Sequence, residues 1–158
     1  MRVIIMGCGR VGAELATDLS REGNDVVVLD VDPSAFRFLP EDFKGTTYVG
    51  NGMDIDTLER VRIRDADVFV SATRGDNRNV MAAQIAKHIF GVRVAASRVF
   101  DPLREEMYRN LGLRTINPTR VQARRLKRVI EARTDEEAGE IVAEFLEQDR
   151  AHEARSEG

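Results

Sequence analysis

The stretch that most constrains this chain lies in its first thirty residues. An apolar run from Arg2 to Met6 meets Gly7, Cys8, Gly9, Arg10, Val11 and Gly12, a helical pattern follows, and a second apolar run, Val26 to Leu29, ends in Asp30. G-x-G-x-x-G between a strand and a helix, with an acid eighteen residues past the last glycine, is the dinucleotide-binding fingerprint in its full context. Each residue type has a physical reason. Gly7 permits the turn out of the strand, Gly9 has no Cβ to hold a pyrophosphate off the backbone, and Gly12 lets the helix lie against the sheet. Free N–H groups at the helix start, reinforced by the helix dipole, then hold phosphates. Asp30 is placed to accept hydrogen bonds from both hydroxyls of an adenosine ribose, and its charge repels a 2′-phosphate. The expected ligand is NAD(H) or a plain adenine nucleotide, not NADP. The motif names a ligand and no reaction.

Length and charge narrow the rest. At 158 residues the chain suits one domain and is too short for two ordinary ones. With 42% hydrophobic and 32% charged residues it reads as soluble and globular, and a net charge of −3 argues against general nucleic-acid binding. No apolar run approaches the roughly 20 residues of a membrane helix, and Met1 to Met6 is too short for a signal peptide, so a cytoplasmic location is expected. Cys8, the single cysteine, has no internal disulfide partner and reads as a small space-filler in the glycine loop, with redox sensing a minor alternative. His88 and His152 lie in helical stretches with no Cys or second His nearby; both read as surface residues, and no metal site is expected.

Strand and helix signals alternate along the chain. Val11, Leu15, Ala16 and Leu19 form one helical face that stops at Gly23. Val26 to Asp30 is the second strand, and Asp32, Pro33 and Ser34 open a short helix that carries Phe36 and Leu39 inward before Pro40. Thr46 to Val49 is a third strand ending in Gly50, Asn51 and Gly52, after which Asp54 caps a helix through Ile55, Leu58 and Val61. Val68 to Val70 is the fourth strand, followed by the polar loop Ser71 to Asp76. A helix from about Asn77 to Phe90 is expected to bury Val80, Met81, Ile85 and Ile89. Val92 to Ser97 is the fifth strand. Asp101 and Pro102 start a helix expected to bury Leu103 and Met107 and to stop near Gly112, and Leu113 to Ile116 is the sixth strand. Six strands interleaved with helices predict an α/β fold: a Rossmann-like, doubly wound six-stranded parallel sheet with extra C-terminal helices. The loops at the strands' carboxyl ends are where such sheets bind ligands.

Two helices of opposite charge follow. Arg120, Arg124, Arg125, Lys127, Arg128 and Arg133 crowd the first, whereas residues 134–158 carry a net −7 against +4 in the remainder. Thr134 and Glu137 form a capping box ahead of the stripe Ala138, Ile141, Val142, Phe145 and Leu146. That stripe packs on its own domain or on another subunit. The basic helix reads as a solvated face or as the partner of the acidic helix rather than as a nucleic-acid surface. The expected organisation is a nucleotide-binding domain over 1–118 and a helical extension over 119–158.

A reaction centre is hard to place. Dehydrogenases of this architecture use a substrate site and an acid or base that a second domain usually supplies. The single-domain exception needs Tyr-x-x-x-Lys, but glycines stand four residues after Tyr48 and Tyr108. No G-x-x-x-x-G-K-[ST] loop exists, since none of Lys44, Lys87 and Lys127 follows a glycine. A nucleotide site without a reaction centre points to sensing. The alternatives are a small NAD-dependent oxidoreductase or accessory subunit, and a nucleotide-responsive DNA-binding regulator resting only on the basic helix.

From Met1 to about Arg128 the chain resembles the TrkA-N, or RCK, family of cytoplasmic regulators of potassium channels and transporters. The matching stretches are the glycine loop with Arg10 and Asp30, then Gly50 to Met53, Ala66 and Asp67. Further matches are Ser71, Ala72, Thr73 to Asn79, Ala96 to Val99 with Asp101 and Pro102, and Asn117 with Pro118. The resemblance implies a homodimer of Rossmann domains, assembled further into a ring beneath a membrane-embedded potassium-translocating subunit. NAD(H), ATP, ADP or AMP would change the ring's shape. It implies that Gly7, Gly9, Arg10, Val11 and Gly12 line the phosphates and Asp30 the ribose. Asn51 and Gly52 would lie by the adenine, Thr73 and Asn79 by the far side of the ligand, and Arg98 by phosphates, across a dimer interface if need be. Cys8, Val31, Met53 and Ala72 complete the candidate lining. Asn51 stands where the family usually has aspartate, so it keeps an acceptor and loses a charge. The acidic helix stands where a second regulatory domain would follow, so a companion subunit is an expected way to complete the ring.

Overall fold

The uninterrupted run Val3 to Met6 is buried throughout, as a central strand covered on both faces must be. It forms β1 (Arg2–Met6) in a six-stranded sheet with β2 (Asp25–Asp30), β3 (Thr46–Val49), β4 (Val68–Ser71), β5 (Val94–Arg98) and β6 (Arg114–Ile116). The computed structural model describes residues 1–156, and side chains through 149. Strand order is β3-β2-β1-β4-β5-β6, and every pairing is parallel. The order reverses between β1 and β4, where Met6 pairs with Leu29 on one side and Ser71 on the other. That switch point opens a crevice at the carboxyl edge of the sheet.

Side chains alternate across the strands into two apolar layers. Val3, Ile5, Val26 and Val28 meet Ala13 and Ala16 of α1 (Arg10–Arg21), with Phe36 of the 3₁₀ turn Pro33–Phe38 and Leu39, which follows it, packed beside them. On the other face Ile4, Met6, Val27, Leu29 and Phe69 meet Leu58 of α2 (Ile55–Arg60) and Ala82 of α3 (Asp76–Gln84). A third cluster joins Val80 and Ala83 to Ala95, Val99 and Leu113, with Tyr108 of α4 (Pro102–Asn110) against it. Aspartates set three helix starts as expected: Asp32, Asp54 and Asp101 accept from the backbone N–H of Ser34, Thr57 and Leu103. Gly23 and Gly112 take positive φ just past α1 and α4.

Helix phase departs from expectation at three places. Val11 on α1 is exposed, and along α3 Val80 is buried but Met81 and Ile89 are 58% and 54% exposed. The inward positions of α3 are Asn79, Val80, Ala82 and Ala83. Small residues there bring the helix close to the sheet. A π turn over Ile85–Ile89 then adds a residue to the turn and rotates Phe90 into the core. In α4, Leu103 and Met107 are 88% and 56% exposed, while Glu105 is buried and Tyr108 packs inward. Leu103, Met107 and Leu111 do share a helical stripe, but the cap at Asp101 starts the helix in a phase that turns the stripe outward.

A second compact unit begins at Pro118. In it α5 (Pro118–Ile130) and α6 (Asp135–Ser156) pair by charge. Arg125 meets Asp149 at 2.9 Å and Arg128 meets Glu144 at 2.7 Å, and both guanidinium groups lie about 5 Å from the Phe145 ring. The Arg128 hydrogen bond holds the Glu144 carboxyl below its usual range. Ala138, Ile141 and Phe145 are half-buried, whereas Val142 and Leu146 are exposed. At the start of α6 the Glu137 N–H donates to Thr134 Oγ1 at 3.2 Å. Glu137 Oε2 accepts from Arg133 N, one residue before the usual capping-box donor.

Candidate functional site

The site grows from the turn after β1. Gly7 has φ +103°, and a Cβ there would press on Thr73 at 3.0 Å; a glycine lets the two carboxyl-end loops touch. Cys8 is fully buried beneath, with burial first and the nearby Asp30 charge second pushing its thiol up to about 11. Gly9 is the N-cap of α1 and offers no side-chain acceptor, so the first-turn N–H groups of the helix are left for something else. A Cβ on Gly9 would meet nothing within 4 Å, while one on Gly12 would fall on the Gly7 carbonyl oxygen. The first glycine faces open space and the second is a packing requirement.

Asp30 closes β2. Its Oδ2 accepts from Cys8 N at 2.7 Å and its Oδ1 from Asp32 N at 3.0 Å, which aims the carboxylate while leaving each oxygen a further lone pair. Beyond β3, Asn51 Oδ1 accepts from Met53 N at 3.1 Å in an Asx turn. A Cβ on the adjacent Gly52 would run into the Met6 side chain.

On the opposite side a buried amide organises the loop after β4. Asn79 Oδ1 accepts from Thr73 N at 2.9 Å and Thr73 Oγ1 at 2.6 Å, and its Nδ2 donates to the carbonyls of Thr73 and Arg98 at 2.9 Å each. Arg98 Nη2 donates to the Thr73 carbonyl at 2.8 Å, and the Arg98 guanidinium lies 4.5 Å from the Phe100 ring. Burial lowers the Arg98 pKa, with Asp76 opposing and Arg74 adding to the shift. The Asp76 carboxylate itself accepts from Phe100 N and Asp101 N at 2.8 and 2.9 Å.

These loops enclose a cavity of about 750 Å³. Of the candidate residues, Gly7, Gly9, Arg10, Val11, Asp30, Val31, Asn51, Gly52, Ala72, Thr73 and Arg98 line it. Cys8, Gly12 and Asn79 are buried behind it, and Met53 packs on the core. Arg37, Phe38, Arg74, Arg78 and Phe100 also line it and were not in the candidate set. Arg74 and Arg78 flank the start of α3, a position the strand–loop–helix pattern marks as facing the crevice. Five arginines thus share the cavity with Asp30 and Asp32, and none forms an ion pair among the described residues. Such a wall suits an anionic ligand with a diol at the Asp30 end. Among the described residues no three His, Cys, Asp or Glu side chains are grouped to hold a metal. His88 is exposed; the His152 side chain lies outside the described residues.

A parallel six-stranded sheet with a glycine loop at its switch point and an acid closing β2 defines a Rossmann-like domain. Residues 3–118 match the TrkA-N domain, and the chain belongs to that family. It is 43% identical over 128 residues to the Trk system potassium uptake protein TrkA of Streptomyces coelicolor, covering 81% of this chain and 57% of that protein. It is 34% identical over 131 residues to a TrkA homolog of Methanothermobacter thermautotrophicus, covering 82% and 60%. The chain therefore spans under two thirds of these relatives.

Solved structures share the fold. The Kef CTD of Shewanella denitrificans in AMP-bound form superposes with a TM-score of 0.68 at 22% identity, over 98% of this chain and 97% of that one. The TrkA-N domain of the Escherichia coli inner membrane protein YbaL gives 0.72 at 15% identity, over 81% and 95%. The GsuK channel bound to NAD gives 0.65 at 19% identity, over 76% of this chain and 22% of that one.

Proposed function

We propose that this chain is a cytoplasmic nucleotide-sensing regulatory subunit for potassium transport. It binds NAD(H) or ATP, ADP or AMP in the crevice over α1 and passes occupancy to a membrane-embedded potassium-translocating partner. The carrying observation is the combination at one cavity of an uncapped α1 start, an aimed Asp30 carboxylate and arginines that form no ion pair among the described residues. An adenosine diol and a phosphate chain satisfy all three. The TrkA relatives, the AMP-bound Kef CTD and the NAD-bound GsuK channel support the same reading. Among the described residues no helix is long and apolar enough to cross a membrane, so transport itself is assigned to the partner.

The reading is regulatory and not catalytic. The cavity's ionisable side chains are five arginines and two aspartates already engaged by backbone N–H groups, a set suited to holding an anionic ligand. Residues 1–118 would be the nucleotide module and 119–158 a helical extension within a homodimer and a larger ring. Gating follows only if a nucleotide favours one ring shape over another.

A thermal-shift panel of NAD+, NADH, ATP, ADP and AMP tests the binding step, since a ligand specific to the folded state raises stability by RT ln(1 + [L]/Kd). Stabilisation by several adenine nucleotides, with co-purification of a potassium-translocating membrane subunit, is the expected result. Hydride exchange with a small substrate would instead mark an oxidoreductase.

A further inference from the structure

Arg37 differs from the other arginines of the cavity in its place, and it shares with Arg98 a guanidinium set against an aromatic ring. It sits on the 3₁₀ turn Pro33–Phe38, at the Asp30 end, where Val31, Ala35 and Phe38 line the same wall. Its guanidinium is oriented rather than free: Nη1 donates to the Ser34 carbonyl and to Ser34 Oγ, both at 3.2 Å. Ser34 Oγ in turn donates to Asp32 Oδ2 at 2.9 Å. The Arg37 Cζ lies 4.8 Å from the Phe38 ring centre. A planar cation is thus braced on an aromatic ring and by a serine, next to the carboxylate placed to read a ribose.

Two ligand groups suit a braced guanidinium, a phosphate or an aromatic face. The surroundings favour the second. Asp30 and Asp32 stand at this end of the cavity, and a phosphate there would be repelled by both, whereas Arg10, Arg74, Arg78 and Arg98 supply positive charge on the rest of the wall, where the Asp76 carboxylate is already engaged by Phe100 N and Asp101 N. A nucleobase carries no net charge and suffers no such repulsion. A ribose whose hydroxyls reach Asp30 also keeps its base on the Val31–Phe38 side. Resting on the nucleotide reading above, we propose that Arg37 covers one face of the adenine base with its guanidinium plane, so that the bound base extends the Arg37–Phe38 stack.

Stacking makes Arg37's contribution independent of phosphate number, of oxidation state at a nicotinamide and of salt. Calorimetric titrations of AMP, ADP and NADH into the full chain and its Arg37→Ala and Arg37→Lys variants test it, with 1,N6-etheno-ADP as a fluorescent probe. The expected result is a loss of about 5- to 10-fold for all three nucleotides in Arg37→Ala. Arg37→Lys, which keeps the charge and loses the plane, should lose nearly as much. The factor should be unchanged between about 50 and 300 mM NaCl, and the base-stacking change in etheno-ADP fluorescence should shrink in both variants. Arg37→Lys at wild-type affinity, or a loss that grows with phosphate number and fades with salt, would overturn stacking in favour of a phosphate contact. An unaffected Arg37→Ala also overturns it while leaving the nucleotide reading intact. Wild-type protein that binds none of the three sinks both.

Discussion

The Cys8 backbone N–H donates to Asp30 Oδ2 at 2.7 Å, so the acid that ends β2 ties down the glycine loop before any ligand arrives. The other oxygen of Asp30 holds Asp32 N at 3.0 Å, at the entry to the 3₁₀ turn that carries Arg37. One carboxylate therefore shapes both walls of the ribose end. Asp30→Asn has one acceptor oxygen for these two donors, which leaves one N–H poorly paired. We expect a destabilisation of about 1–2 kcal/mol in ligand-free protein by urea denaturation. A stability unchanged from wild type would show that the loop holds its shape without Asp30.

The glycines of the loop should separate fold from binding. A Cβ on Gly9 meets nothing within 4 Å and the residue has φ −75°, so Gly9→Ala should fold with stability within about 1 kcal/mol of wild type. Its methyl group projects where phosphates must approach, and nucleotide affinity should fall about tenfold or more. Gly12→Ala sets a Cβ on the Gly7 carbonyl oxygen and should cost about 3 kcal/mol. Denaturation and calorimetry on the two variants check this; equal binding by wild type and Gly9→Ala would place the ligand elsewhere.

Much of the sheet was legible because its central strands are unbroken apolar runs, and helix starts were legible because Asp32, Asp54 and Asp101 cap through their own neighbours. Helix phase was not. Leu103 and Met107 satisfy a helical period as well as any buried pair, and periodicity alone does not say which side of the helix the sheet lies on. The π turn after Gln84 is equally silent in sequence. At the cavity the glycine loop and Asp30 carry a motif. Arg37 and Phe38 enter through a 3₁₀ turn that carries none.

Asn79 illustrates a residue whose role depends on a distant strand. Its amide is fully buried and bridges Thr73 to the Arg98 carbonyl of β5, so it shapes the crevice from behind. Asn79→Ala takes the side-chain partner from Thr73 N and the Arg98 carbonyl, and leaves the Thr73 carbonyl with Arg98 Nη2 and Thr73 Oγ1 with Gly75 N; a loss of about 3 kcal/mol is expected. Asn79→Asp replaces the donor that faces two carbonyls with an acceptor, and should be worse at neutral pH than Asn79→Ala. Urea midpoints order the three proteins, and an aspartate variant as stable as wild type would refute the assignment.

Arg74 and Arg78 line the cavity at the start of α3, and the Asp76 carboxylate between them is occupied by Phe100 N and Asp101 N. Both arginines are exposed, so each contact with a phosphate is worth only about 1 kcal/mol after solvent screening. The double variant Arg74→Ala/Arg78→Ala should weaken ATP about tenfold or more and AMP about threefold or less. Calorimetry at two salt concentrations should show the ATP difference shrinking as salt rises. Equal losses for both ligands would place the terminal phosphates away from α3.

Cys8 tests the dryness of the loop itself. Its thiol is pushed from 9.0 up to about 11, chiefly by burial. A thiol in the unfolded chain ionises near 9.0 while the folded one stays protonated, so between these values protons are held by the native state and released on unfolding. Its contribution to stability is complete below pH 9.0 and is lost as pH rises towards 11, by on the order of 1–2 kcal/mol. Cys8→Ala isolates the effect: its stability should decline less steeply than that of wild type from pH 9 to 11. Iodoacetamide at pH 8 should modify the folded protein about 100-fold more slowly than free cysteine, because both thiolate and access are scarce. Rapid alkylation with the fold intact would mean that the loop opens to solvent around Cys8, and the tie between Cys8 N and Asp30 would then be intermittent.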